Sequence, residues 1–142
     1  MQAVRTAKHK SYEDFACIAR DLVDRGVTTT EQLGADGGSA GGLLIGVMLT
    51  RYPELFGALV AIAPLFDLLR YHRLLTGPAH IAEFGDPDDP AERGFLEEYS
   101  PLSQCRGRSS LSADLDHDIV VRRSPSSRTC AEDGRSARGC WP

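Results

Sequence analysis

Six residues, Gly37-Gly38-Ser39-Ala40-Gly41-Gly42, stand between two apolar runs in "LGADGGSAGGLLIGVMLTRYPELFGALVAIAP", Leu33 to Pro64. They restrict the fold more than any other feature of the chain. A turn this rich in glycine lets two backbones approach closely and admits dihedral angles that other residues avoid. The adjoining stretch "GGLLIGVMLTRYP", from Gly41, places Leu44, Val47 and Met48 at helical spacing, and Pro53 closes the pattern. "GALVAIAP", Gly57 to Pro64, is a short unbroken apolar run that suits a buried parallel strand better than a half-exposed one. A short approach strand before the glycines then completes a βαβ-type unit of a parallel sheet.

The flanks extend this α/β pattern. "SYEDFACIARDLVDRG", Ser11 to Gly26, reads as a helix with Phe15, Ile18, Ala19 and Leu22 on one face, Ser11 as N-cap and Gly26 as the C′ stop. "DPDDPAERGFLEEYSP", Asp86 to Pro101, reads as a turn followed by a short helix capped near Asp89. The pattern ends near Leu102. Residues 103–142 hold three of the four cysteines, seven arginines and eight serines, with no lysine. Only "LDHDIVV", Leu115 to Val121, has strand character there, and the remainder has neither period. Two parts are therefore expected: a partial α/β domain over 1–102 and an irregular tail over 103–142.

Gly37-Gly38-Ser39-Ala40-Gly41 fits G-x-S-x-G. Between a strand and a helix this is a nucleophile elbow, a strained turn that projects the serine hydroxyl from the end of the sheet. The helix N-terminus supplies positive dipole and free N–H groups, and the Ala40 N–H becomes one oxyanion donor. The motif alone also fits an ordinary glycine-serine turn. A phosphate-binding loop fits less well, since residues 34–42 lack a GK[ST] ending and the G-x-G-x-x-G pattern.

Taken together, the helix carrying Glu13-Asp14-Phe15, the "GGSAGG" elbow, "RYPELFGALV", "LFDLLRYH", "EFGDPDDP" and "EYSP" resemble, in order and spacing, the catalytic domain of the prolyl oligopeptidase family. The resemblance runs from about Lys8 to Leu102. It implies a partial α/β-hydrolase fold, a parallel sheet with flanking helices, and cleavage of short peptides through a Ser-Asp-His triad. It makes Ser39 the nucleophile and puts Ala40 at the oxyanion-donor position, where the family usually has Asn. His80 stands where the family usually has a tryptophan that stacks on the substrate proline, which weakens any expectation of proline preference. The family pairs this domain with an N-terminal β-propeller. Neither the propeller, nor the first sheet strands, nor the tyrosine that serves as second oxyanion donor is found in the sequence. The expectation is a truncated piece, inactive or nearly so by itself and poorly soluble.

A serine needs a base, and the base needs a carboxylate to orient it. The histidines are His9, His72, His80 and His117. His9 precedes the serine, and the hydrolase order is Ser, Asp, His. His72 and His80 fall in a segment where exposed or packing roles are expected. In "ADLDHDIVV" the weak candidates for the acid are Asp116 and Asp118, and no histidine comes after His117. Read one nucleotide later, however, the codons for Leu102 to Arg106 permit Tyr-His-Asn-Val. Those from Asp114 permit Thr-Leu-Ile-Thr-Thr-Ser, and those for 122–136 permit "DDRLHPGHARKMAA", close to the family's triad-acid segment. The tail is accordingly expected to arise from a reading-frame slip near Pro101 or Leu102. The acid is then encoded in the shifted frame near Arg122 to Ser124, and the histidine lies beyond residue 142.

No metal or organic cofactor is expected. The cysteine spacing fits no zinc pattern, which leaves free thiols in a reducing compartment and a cytoplasmic location. A net charge of −4 and acidic residues interleaved with the tail arginines give no reason to expect nucleic acid, and no apolar run is long enough to cross a membrane. A small esterase or another α/β hydrolase, and a non-catalytic remnant or interaction fragment, are the alternatives.

Overall fold

The computed structural model describes residues 4–105 and, as backbone alone, 119–122. After a single 3-10 turn at Arg5–Ala7 the chain enters helix α1, His9–Asp24. Ser11 lies inside this helix, and the N-cap is Lys8, which makes no side-chain cap. The sequence placed the start three residues late because the preceding 3-10 turn, through Lys8 N–H to Arg5 C=O, already serves as the helix entry. The other end matches the expectation. Gly26 takes φ 67°, its N–H reaches Val23 C=O, and Val27 N–H reaches Leu22 C=O. This is a Schellman stop, which glycine permits at C′.

The buried face of α1 is Tyr12, Ala16 and Ala19, with Phe15 at its margin. Ile18, expected inside, is 60% exposed. Tyr12 takes the place that pattern reading gave to Ile18. An aromatic earlier in the helix rotates the apolar stripe, because its ring packs on Tyr99 at a centroid distance of 5.4 Å.

Strand β1, Gly34–Gly38, leads through Ser39 into helix α2, Ala40–Arg51, and the chain returns as strand β2, Ala58–Ile62. The two strands are parallel, with Gly34 opposite Ala58 and Gly38 opposite Ile62. Helix α2 is buried nearly all round through Leu43, Ile45, Val47 and Met48, since the sheet lies on one side and Phe66, Pro101 and α1 on others. In register, Ala35, Gly37, Leu59 and Ala61 face α2.

The opposite face carries Gly34, Asp36, Gly38, Val60 and Ile62. Burial therefore alternates along both strands, and Ile62 is 43% exposed. The apolar run at 57–64 was expected to be buried on both sides. Among the described residues the second face is the more exposed of the two, with Val60 only partly buried. Backbone 119–122 forms strand β3, Ile119–Arg122, antiparallel to β2. It coincides with the end of the strand-like stretch at Leu115 to Val121.

The chain beyond β2 is held by turn chemistry. After helix α3, Ile81–Phe84, Gly85 turns at φ 111°, and its carbonyl accepts the Tyr71 hydroxyl. Asp86 accepts from Asp88 N–H at 2.9 Å, while Glu92 reaches back to the Asp86 N–H. Asp89 caps helix α4, Pro90–Tyr99, by accepting from Ala91 N–H at 2.9 Å, with Pro90 at the first helical position. The expected cap is thus the observed one. Helix α5, Pro101–Cys105, comes directly after it.

Candidate active site

Ser39 has φ 53° and ψ −116°. This is a sparsely populated backbone conformation for a residue with a Cβ, and it persists only when the surroundings impose it. Two hydrogen bonds and the crowding at the flanking glycines do so. Ser39 N–H donates to Ile62 C=O at 2.9 Å, which continues the β1–β2 ladder by one bond. Ser39 C=O accepts Leu43 N–H at 3.1 Å and so opens α2. The backbone crowding is severe on either side of it. A Cβ on Gly37 would stand 2.5 Å from Gly41 C=O, and one on Gly42 would stand 2.9 Å from Pro64 Cα. Gly41 itself has open space around it, so the third glycine of the motif is not required by packing here.

These facts separate the two readings of the motif. An ordinary serine at a helix start accepts a hydrogen bond from an N–H of the first turn. Ser39 occupies the N-cap position of α2 and makes no such bond. Its side chain is exposed at the C-terminal end of β1. The hydroxyl is therefore presented rather than consumed, next to a helix N-terminus whose first N–H groups, Ala40 among them, have no helical partner. Such a site can hold a developing oxyanion beside an attacking oxygen.

The described histidines are engaged elsewhere. His9 Nδ1 pairs with Thr6 C=O at 2.8 Å. His72 Nε2 lies 3.1 Å from Asp88, which also binds Arg73. The His80 ring packs on Phe84 at 6.0 Å. Where exposed or packing roles were expected, His80 packs on Phe84, and His72 stands edge-on to Tyr71 while it is also tied to Asp88. Among the described residues no histidine is hydrogen-bonded to Ser39. His117, Asp116 and the candidate acid Asp118 lie outside the described residues.

The other motif blocks serve the scaffold. In "EYSP", Ser100 is fully buried; its hydroxyl donates to Phe66 C=O at 3.1 Å and accepts Leu68 N–H at 3.3 Å. It ties α4 and α5 to the segment leaving β2. Asp67, 5% exposed, accepts Leu69 N–H and pairs with Arg70. Burial raises Tyr71 to a pKa of about 12, with Asp86 and Glu92 adding to the shift, so its hydroxyl stays a donor to Gly85.

Ala63 went unnoticed in the sequence. It is exposed and has φ 42°, one residue past the end of β2. The only sequence signal was its place before Pro64, which restricts a residue but does not predict a left-handed one.

Cys17 is a free thiol. Among the described residues no three His, Cys, Asp or Glu side chains are placed to hold a metal. No helix there is long and apolar enough to cross a membrane.

Comparison with known proteins shows what the chain is similar to. The sequence model of the Prolyl oligopeptidase family matches residues 2–120. An uncharacterized peptidase of Sinorhizobium fredii is 43% identical over 103 residues, covering 72% of this chain and 14% of the relative. A prolyl endopeptidase of Dictyostelium discoideum is 34% identical, covering 80% of this chain and 16% of the relative. Among solved structures, a post-proline cleaving enzyme from Rickettsia typhi superposes with a TM-score of 0.70 at 35% identity, over 72% of this chain and 15% of that one. The chain thus spans about one-seventh to one-sixth of the length of these proteins.

Proposed function

The chain belongs to the prolyl oligopeptidase family, and on that premise we propose that it carries the nucleophile of a serine-peptidase site acting on short peptides. Ser39 Oγ gives its proton to the base and attacks the peptide carbonyl, and the oxyanion forms beside the Ala40 N–H; its collapse breaks the C–N bond and releases the amine, which takes up that proton, and water then hydrolyses the ester to free the carboxylate and Ser39. The observation that carries this reading is the backbone of Ser39, held at φ 53° and ψ −116° with its hydroxyl not used as a helix cap. The acid and base are supplied from outside the described residues. The DNA around codons 102–136 tests the proposal that they were separated from Ser39 by a frame slip; codons that do not spell the family's acid segment in the +1 frame defeat it.

The proposed substrates are short peptides. Proline preference is weak, since the His80 imidazole is a smaller stacking surface than an indole and already packs on Phe84.

The test is a chimera in which residues 8–102 replace the matching segment of the Sinorhizobium relative. The folded chimera is expected to cleave a proline-containing chromogenic peptide and to lose that activity on Ser39→Ala. A folded chimera without activity, or one indifferent to Ser39→Ala, refutes the assignment. The 142-residue chain alone is expected to show little or no turnover.

A further inference from the structure

The end of β2 answers the end of β1 with a second strained residue. Gly38 and Ile62 are the last paired residues of the two parallel strands. One step beyond them stand Ser39 at φ 53° and Ala63 at φ 42°. The residues on either side of Ala63 each hold one part of the elbow. Ile62 C=O accepts the Ser39 N–H at 2.9 Å. Pro64 abuts the first turn of α2, its Cα and Cβ both 2.9 Å from where a Cβ on Gly42 would be.

Ala63 is thus the joint between two contacts that fix where Ser39 sits. A left-handed φ at 63 turns the chain so that Pro64 reaches Gly42 while Ile62 C=O still faces Ser39. An extended or right-handed φ would direct Pro64 elsewhere. The conformation is unfavourable for alanine and is restricted further by the following proline. The exposed methyl group gains no packing in return. Strain of this kind is held by its surroundings and is concentrated at reacting centres. We propose that Ala63 is a positioning residue for Ser39: its left-handed backbone clamps the elbow between Ile62 C=O and Pro64. Its functional meaning rests on Ser39 being the reacting serine, but the geometry can be tested without any turnover.

The experiment is site-resolved amide hydrogen exchange on the full 142-residue chain, read at Ser39, with Ala16 and Ala19 of α1 as internal controls. Ala63→Val disfavours the left-handed φ, whereas Ala63→Gly and Ala63→Asn accept it. Ser39 exchange is expected to rise about tenfold or more in Ala63→Val and to stay within about twofold of wild type in the glycine and asparagine variants, with α1 unchanged. If Ala63→Val does not fold, Ala63→Thr against Ala63→Asn decides, the β-branched threonine variant exchanging faster at Ser39. Three results overturn the proposal: Ser39 exchange unchanged in the valine or threonine variant, the same acceleration in α1, and no protection of the Ser39 amide in wild type. An inactive chimera in the peptidase test removes the nucleophile assignment and leaves the exchange result intact, so the two failures are distinguishable.

Discussion

Two adjacent glycines of the elbow are expected to respond in opposite directions to the same substitution. Gly41 and Gly42 are both in the first turn of α2, so replacing either with alanine brings a similar helix-propensity gain of about 0.5–1 kcal/mol. At Gly41 nothing lies within 4 Å of the new methyl, and that gain is the whole effect. At Gly42 the methyl stands 2.9 Å from Pro64 Cα and Cβ and 3.2 Å from Ile62 C=O. Carbon atoms prefer separations of about 3.5–4.0 Å, so Pro64 or α2 has to give by roughly half an ångström or more. The obstacle is backbone and a rigid ring, which cannot rotate away. Overpacking of this kind costs about 1–3 kcal/mol. Because propensity cancels between the two variants, that cost is the stability gap between Gly41→Ala and Gly42→Ala. Urea denaturation reads it as a shift in midpoint at constant slope. Equal stability, to within about 0.5 kcal/mol, would refute the close approach of Pro64 to α2 and with it one side of the clamp on Ser39.

Other outcomes rest on the same contacts. Ser100→Ala leaves Phe66 C=O bonded to Leu102 N–H at 3.0 Å but strands the buried Leu68 N–H, so a loss of about 1–3 kcal/mol is expected in urea denaturation. Asp89→Ala removes the α4 cap and is expected to cost about 1 kcal/mol, measured in the same way. Stability should fall as pH rises from about 10 to 12: the Tyr71 hydroxyl, with a pKa of about 12 when folded against 10.0 unfolded, loses its proton first in the unfolded chain, which then binds fewer protons than the native state. Its contribution is constant below the unfolded value. Tyr12 and Tyr99 are raised in the same direction by burial, so in an alkaline titration Tyr71→Phe should flatten this decline without abolishing it.

The legible parts of the sequence were those with local causes. Gly26 stops α1, Asp89 and Pro90 start α4, Pro53 comes after α2, and G-x-S-x-G lies between a strand and a helix; each is set by the backbone needs of a few neighbouring residues. Errors arose where a distant partner decides. Ile18 is outside because Tyr12 finds Tyr99, more than eighty residues later in the chain. Val60 and Ile62 are only partly covered because apolarity records a need for burial, not whether a neighbour meets it. The strain at Ala63 has no compositional sign, since it is imposed by Ile62 and Pro64 contacting another element. The candidate acids Asp116 and Asp118 fall outside the described part of the chain.

The more exposed face of the sheet, as the described residues leave it, has an electrical consequence for the serine at its end. The N-terminus of α2 directs a positive potential at Ser39, and the strength of that potential depends on the medium around it. On the α2 side the medium is packed side chains. On the other, water reaches Gly34, Asp36 and Gly38 along the strand that leads to the serine. Water's high dielectric and dissolved ions weaken fields over about 8–10 Å at ordinary salt, a range that includes the end of the strand. Among the described residues, the field of the helix at the Ser39 hydroxyl is therefore partly screened by solvent. Covering that face would sharpen the electrostatics at Ser39 without changing an atom of the turn that holds it.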